Sequence, residues 1–165
     1  MSALMELAQR VQDTPIGTAI VESRYAFPII EGVHLIGLSL SVGLILLIDL
    51  RLLGLTLREV SIANALKHLR PYILSGFSLV FVSGALLSWA EAAEVLKSPA
   101  TPYKFAFMFL AGVNAAYFEF VTVPRNLQGP ARRSLPFSAR FAGGASIGLW
   151  VLVIIFGRLI AYIPN

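Results

Sequence analysis

Six ionisable side chains stand inside long apolar runs of this chain, and they are the residues that could do chemistry. They are Glu31, His34, Asp49, Arg51, Glu119 and Arg158. A charge surrounded by lipid is costly, so each must face protein or water. Glu31 and His34 are three residues apart and share one helical face. The helical rise puts His34 roughly 10 Å inside its apolar run. Arg158 stands near the far end of the last run, about 27 Å from its start, at a depth that matches Glu31. Two readings of this layer stay open. One is a buried structural Glu31–Arg158 ion pair with His34 bonded to a neighbouring helix; breaking such a pair costs about 3–5 kcal/mol. The other is a ligand or proton site.

Asp49, Arg51 and Glu119 form a second layer, with Arg125 and Arg140 nearby and Asn114 as a neutral companion. Glu31, His34, Leu38, Ser41, Ile45, Asp49 and Leu52 recur at spacings of three and four, which marks one interior face. The second layer reads as structural intramembrane charges that pair and set helix register.

Several chemistries can be weighed from residue types alone. The chain has no Cys, which excludes disulfides, thiolate zinc sites, iron–sulfur clusters and covalent c-type haem. Haem b needs a histidine ligand, and His34 is the candidate, with Arg158 near a propionate. His68, the second histidine, falls at the other end of the membrane on a polar face and reads as a surface residue. One chain therefore cannot clamp a haem between both, although two copies could bring two His34 side chains to one depth. As a metal ligand, His34 with Glu31 matches half of the Glu-x-x-His pattern of di-iron bundles, which require two such motifs. No Ser sits in a nucleophile-elbow context and no Gly-rich phosphate loop is present, so an enzyme is the weaker expectation.

The elements that must hold these residues follow from composition. Of 165 residues, 57% are hydrophobic and 13% charged, against about 25% charged in a soluble domain. So sparse a charge also argues against a nucleic-acid partner. Four apolar runs reach the roughly 20 residues that a spanning helix needs: 27–55, 72–93, 103–123 and 141–163. The expected fold class is all-α, an integral membrane four-helix bundle (25–165). It follows a short N-terminal amphipathic segment (1–24) in which Leu4, Leu7, Ala8 and Val11 share a face. Asp13-Thr14-Pro15 signals a second helix start. The N-terminal stretch lacks the basic region and compact apolar core of a secretory signal. Thr56–Arg70 reads as an interfacial helix and Pro124–Pro136 as an irregular loop. Small residues on every span (Gly32, Ser39 and Gly43; Gly76 and Gly84; Gly112 and Ala116; Gly144 and Gly148) suit close helix packing or a homo-oligomer.

Charge orients the bundle. Arg51, Arg58, Lys67, Arg70, Arg125, Arg132, Arg133 and Arg140 fall on one side, against Arg10, Arg24, Lys97, Lys104 and Arg158 on the other. The positive-inside rule makes the first side cytoplasmic and both termini periplasmic.

The segments EGVHLIGL, DLRLLGL and the closing GRLIAY carry a resemblance that covers Glu22 to Tyr162. The chain resembles a bacterial four-helix inner-membrane family described as a domain of unknown function. Its fold is also similar to copper-resistance-D-like and b-type cytochrome membrane domains. In that family pattern the third span often carries His where this chain has Glu119, a departure that leaves no second histidine ligand there. The resemblance implies a small bacterial multi-pass protein and no assigned activity. The resulting expectation is a non-enzymatic subunit or binding protein in an oligomeric assembly within the lipid bilayer, with a haem b electron-transfer protein as the alternative.

Overall fold

The computed structural model of the protein describes residues 3–127 and 135–162. Seven α-helices follow in order: α1 (Ala3–Gln12), α2 (Pro15–Glu22), α3 (Ala26–Leu52), α4 (Ile62–Ala90), α5 (Ala92–Lys97), α6 (Thr101–Tyr117) and α7 (Phe137–Tyr162). A π-helical stretch, Phe118–Leu127, continues α6. There is no strand among the described residues. Four helical segments are long and apolar enough to cross a membrane: Ala26–Leu52, Ile62–Ala90, Thr101–Val123 and Phe137–Tyr162. Ile36, Phe81, Val82, Phe109, Val113 and Ile155 point outward, as apolar side chains do when the solvent is lipid.

The four long helices form two antiparallel hairpins, α3 with α4 and α6 with α7, joined where α3 packs on α7. On the fourth side the π-helical extension of α6 packs on α4. The hydrophobic core sits at that same end. Ile48, Leu52, Ile62, Leu66, Ile73, Phe118, Val123, Ala139 and Ala142 build it. The other end, which holds α1, α2, α5 and the start of α6, is bound by polar contacts. Thr14 caps α2 by accepting from Gly17 N–H, and the Trp89 indole donates to Thr14 at 2.8 Å. Gln12 accepts from the Ala93 backbone N–H at 3.0 Å.

Three element boundaries depart from the sequence expectation. The first span stops at Leu52 rather than 55. Gly54, at φ +76°, donates to the Arg51 carbonyl, and Leu55 donates to the Leu50 carbonyl. This is the C-terminal cap in which a left-handed residue lets the last carbonyls find donors. Gly54→Ala should therefore cost about 1 kcal/mol, read as a lowered thermal midpoint in detergent. The expected interfacial helix at Thr56–Arg70 is instead the start of α4. Helix runs unbroken from Ile62, capped by Ser61 accepting from Asn64 N–H, through Pro71. Packing of Ile62, Leu66 and Ile73 in the core outweighs the donor that Pro71 removes. The expected irregular loop from Pro124 begins later, because the π-helical course carries on to Leu127. The remainder of that loop as far as residue 134, with Arg132 and Arg133, lies outside the described residues.

Small residues contact neighbouring helices at fewer places than their spacing implied. A Cβ on Gly76 would stand 2.8 Å from the Ser41 backbone nitrogen, and one on Gly37 would stand 3.0 Å from the Gly76 carbonyl. Gly143 meets Leu52 and Asp49 at 3.0 and 3.1 Å. By contrast, Gly32, Gly43, Gly112 and Gly148 face open space, and Gly144 barely reaches Leu53. The close approach between α3 and α7 thus uses Gly143, not the Gly144/Gly148 pair.

Candidate functional site

The two charged layers inferred from sequence are separate places with different chemistry. At the cored end, Arg51 is 1% exposed. Its guanidinium donates to the carbonyls of Val60 at 2.9 Å and Arg58 at 3.1 Å. It braces the turn between α3 and α4. Asp49 is buried two residues earlier on the face toward α7, where the Ser146 hydroxyl hydrogen-bonds to it. Glu119 pairs with Arg70 of α4. Of the arginines named nearby, Arg140 is exposed, and the side chain of Arg125 lies outside the described residues. The Arg70–Glu119 pair ties the π-helical extension to α4. Asn114 joins α6 to α7 by donating to the Ala142 carbonyl at 3.0 Å.

At the other end, side chains from all four long helices gather. Glu31 and His34 come from α3, Ser83 from α4, Lys104 from α6 and Arg158 from α7. The Arg158 guanidinium stands 3.9 Å from the Glu31 carboxylate, donates to the Tyr162 hydroxyl at 2.8 Å and covers the Tyr162 ring. The Arg158 and Glu31 side chains are 55% and 46% exposed. So long and open a pair contributes little, in contrast to the buried pair expected from depth alone. Arg158→Leu should consequently cost under about 1 kcal/mol. A loss near 3 kcal/mol on detergent unfolding would show the pair to be desolvated.

His34 is held more tightly. Its Nδ1 stands 3.0 Å from the Ser83 hydroxyl, and the ring lies against Gly84, where a Cβ would come within 3.1 Å of Cε1. Ser83 donates its own proton to the Leu79 carbonyl. Its oxygen is left to accept, so the hydrogen-bond network assigns the proton of neutral His34 to Nδ1. The ring also hydrogen-bonds to the Val80 backbone. The polarity of the Ser83–His34 bond is the reverse of a catalytic Ser–His pair, in which serine donates to histidine.

Lys104 was counted from the sequence among the charges that mark the periplasmic side. It is half-buried, with its stem along Gly157 of α7 and Cε 3.6 Å from where a Cβ would be. Its charge reaches His34 through space, as does that of Glu31. The first-turn position of Lys104 in an apolar helix was the available signal, but a lysine there also suits a headgroup contact. Glu91, just beyond α4, completes this end. Its carboxyl is pushed above the usual range by desolvation, then by the like charges of Glu94 and Glu31.

His68 stands at the opposite end, 15 residues before Ser83 on α4 and about 22 Å from it by helical rise. It is exposed, with Nδ1 2.8 Å from the Asn64 carbonyl. The two histidines of one chain do not meet. Among the described residues no three His, Asp or Glu side chains gather as a metal centre would need, so His34 as a metal ligand would require donors from a second copy. Comparison of the chain with protein-family models, curated proteins and solved structures gives no match.

Proposed function

We propose that the protein is a small multi-pass protein of the bacterial inner membrane, with both termini periplasmic. In this reading it works as a non-enzymatic subunit or binding protein of an oligomeric membrane assembly. One observation carries it. Polar side chains from all four spans converge at the end away from the core, around a histidine fixed by Ser83 and Gly84. Ser83 gives its proton to the Leu79 carbonyl rather than to His34, which suits holding a group in place.

Native mass spectrometry of the detergent-purified protein tests it. A discrete oligomer, or a retained membrane partner, is the expected result. A monomer at every concentration in both detergent and bilayer discs would overturn it. A C-terminal alkaline phosphatase fusion should be active, and activity only of a cytoplasmic reporter would reverse the orientation.

The hold of Ser83 on His34 Nδ1 favours haem b as the second reading. A histidine whose Nδ1–H is anchored by a neighbour is oriented to ligate iron through Nε2, and Arg158 or Lys104 would face a propionate. Bound there, haem would supply one-electron transfer. The visible spectrum with and without dithionite decides between the readings. A Soret band lost in His34→Ala supports haem, and a colourless folded protein without haem by pyridine assay removes it.

A further inference from the structure

The N-terminal helices take no part in the polar cluster. Exposure divides α1 into three sectors. Met5, Ala8 and Gln12 form a half-buried sector on the side of α5, where Gln12 accepts from the Ala93 backbone N–H. Glu6, Gln9 and Arg10 are exposed on one flank of it. Leu4 and Leu7 are exposed on the other, at 66% and 58%. With about 3.6 residues per turn, the two flanks point nearly opposite ways. A wet flank facing away from a bare apolar one suits a boundary between water and an apolar medium.

The anchoring of α1 shows which medium that is. α5 lies across the end of the bundle. One residue separates it from α4, and its Val95 carbonyl accepts from the hydroxyl of Thr101, the first residue of α6. Ala93 is three residues past α4, a reach of about 10 Å at most, and α1 packs along this helix. The elbow between α1 and α2 is placed more closely. Thr14 there accepts from the Trp89 indole. Trp89 follows Ala85 by four residues and Val82 by seven, so the three share one face of α4. All three are exposed. The elbow therefore hangs beside the span, over the side that meets lipid, rather than on top of the bundle. From it α2 returns to the start of α3, packing on α3 and α4. Charge does not draw this segment to anionic headgroups, because α1 and α2 with their elbow carry Glu6, Asp13 and Glu22 against Arg10.

We infer that α1 is an interfacial helix, with Leu4 and Leu7 seated in the acyl boundary of the leaflet at this end of the bundle. Its apolar flank continues the lipid-facing side of α4, and its charged flank stays in water.

The chain has no Cys, so single spin labels carry no background. Leu4→Cys, Glu6→Cys, Leu7→Cys and Arg10→Cys are labelled in full-length protein reconstituted into phosphatidylcholine bilayers, with Val82→Cys as the lipid reference. Power-saturation EPR reads collisions with oxygen, which concentrates in lipid, and with a nickel chelate, which stays in water. Labels replacing Leu4 and Leu7 should shift toward oxygen, as at Val82, and those replacing Glu6 and Arg10 toward the chelate. Chelate reaching all four α1 labels alike would put the helix in water and overturn the inference. Labels at Leu4 and Leu7 shielded from both reagents would overturn it as well, and would mark a protein partner on this flank. An oxygen shift that appears only with added phosphatidylglycerol would mean that headgroup charge, not the apolar flank, seats the helix, and would also overturn it. Trp89 gives a reading without cysteine variants. In the Trp150→Phe chain, lipids brominated high on the acyl chain should quench its fluorescence more than lipids brominated at the chain end. Equal quenching, or none, would take the elbow out of the interface and sink the assignment. A monomer with the expected label pattern would remove the subunit reading and leave α1 in the leaflet.

Discussion

Arg51→Ala should be among the most damaging single changes in the protein, lowering stability by about 3–5 kcal/mol. The side chain is almost wholly buried and gives its protons to the Arg58 and Val60 carbonyls. A hydrogen bond from a charged donor is worth about 1.5–3 kcal/mol, and two are lost together. Truncation also opens a cavity at the base of α3 beside Leu52, the most buried leucine of the core. The turn it braces includes Leu57 at φ +49°, a strained conformation for a leucine. Loss of the brace should therefore release this turn first. Reversible unfolding in mixed detergent–SDS micelles measures the cost, and amide exchange across residues 53–61 should accelerate. Arg51→Lys keeps the charge but not the two-pronged reach and should recover only part of the loss. A variant as stable as the parent would mean that the two carbonyls find water without cost.

Gly76→Val should have the other large effect, about 3 kcal/mol of destabilisation. A Cβ at Gly76 meets Ser41 backbone nitrogen at 2.8 Å, and backbone cannot swing aside as a side-chain tip can. The helices must separate, which disturbs Ser41, fully buried at the crossing with its hydroxyl satisfied by the Gly37 carbonyl. Gly112→Ala is the control. It faces open space, so the thermal midpoint should hold or rise as helix propensity improves. If both variants melt alike, the α3–α4 crossing is looser than its distances imply.

The reach of the sequence differs sharply between these two residues. Arg51 was legible as an intramembrane charge because its cost in lipid demands a partner. That the partners are two loop carbonyls was not, since hydrogen bonds to backbone leave no pattern of residue types. Gly76 stood out as one small residue among many. Spacing could not tell it from Gly43 or Gly112, because which face meets a neighbour depends on the rotation of both helices.

The candidate site divides in the same way. His34 and Glu31 on one face, and Arg158 at matching depth, followed from helical period and rise, and the structure places all three at one end. Glu119 with Arg70 did not follow, because that pairing depends on which face of the π-helical stretch meets α4. Lys104 counted only as a charge that orients the bundle, and the approach of α7 at Gly157 makes it half-buried.

By itself, then, the sequence determined the all-α class, the four apolar helices long enough to cross a membrane and the few ionisable groups that must be sheltered. Burial of apolar surface and the cost of bare backbone in lipid act on composition and period alone. The tertiary structure decided which helices touch, and so which of those groups meet. It set the proton of neutral His34 on Nδ1 through Ser83, and put the core and the polar cluster at opposite ends. Each of these depends on pairwise geometry between segments distant in the chain, and one-dimensional periodicity does not encode it.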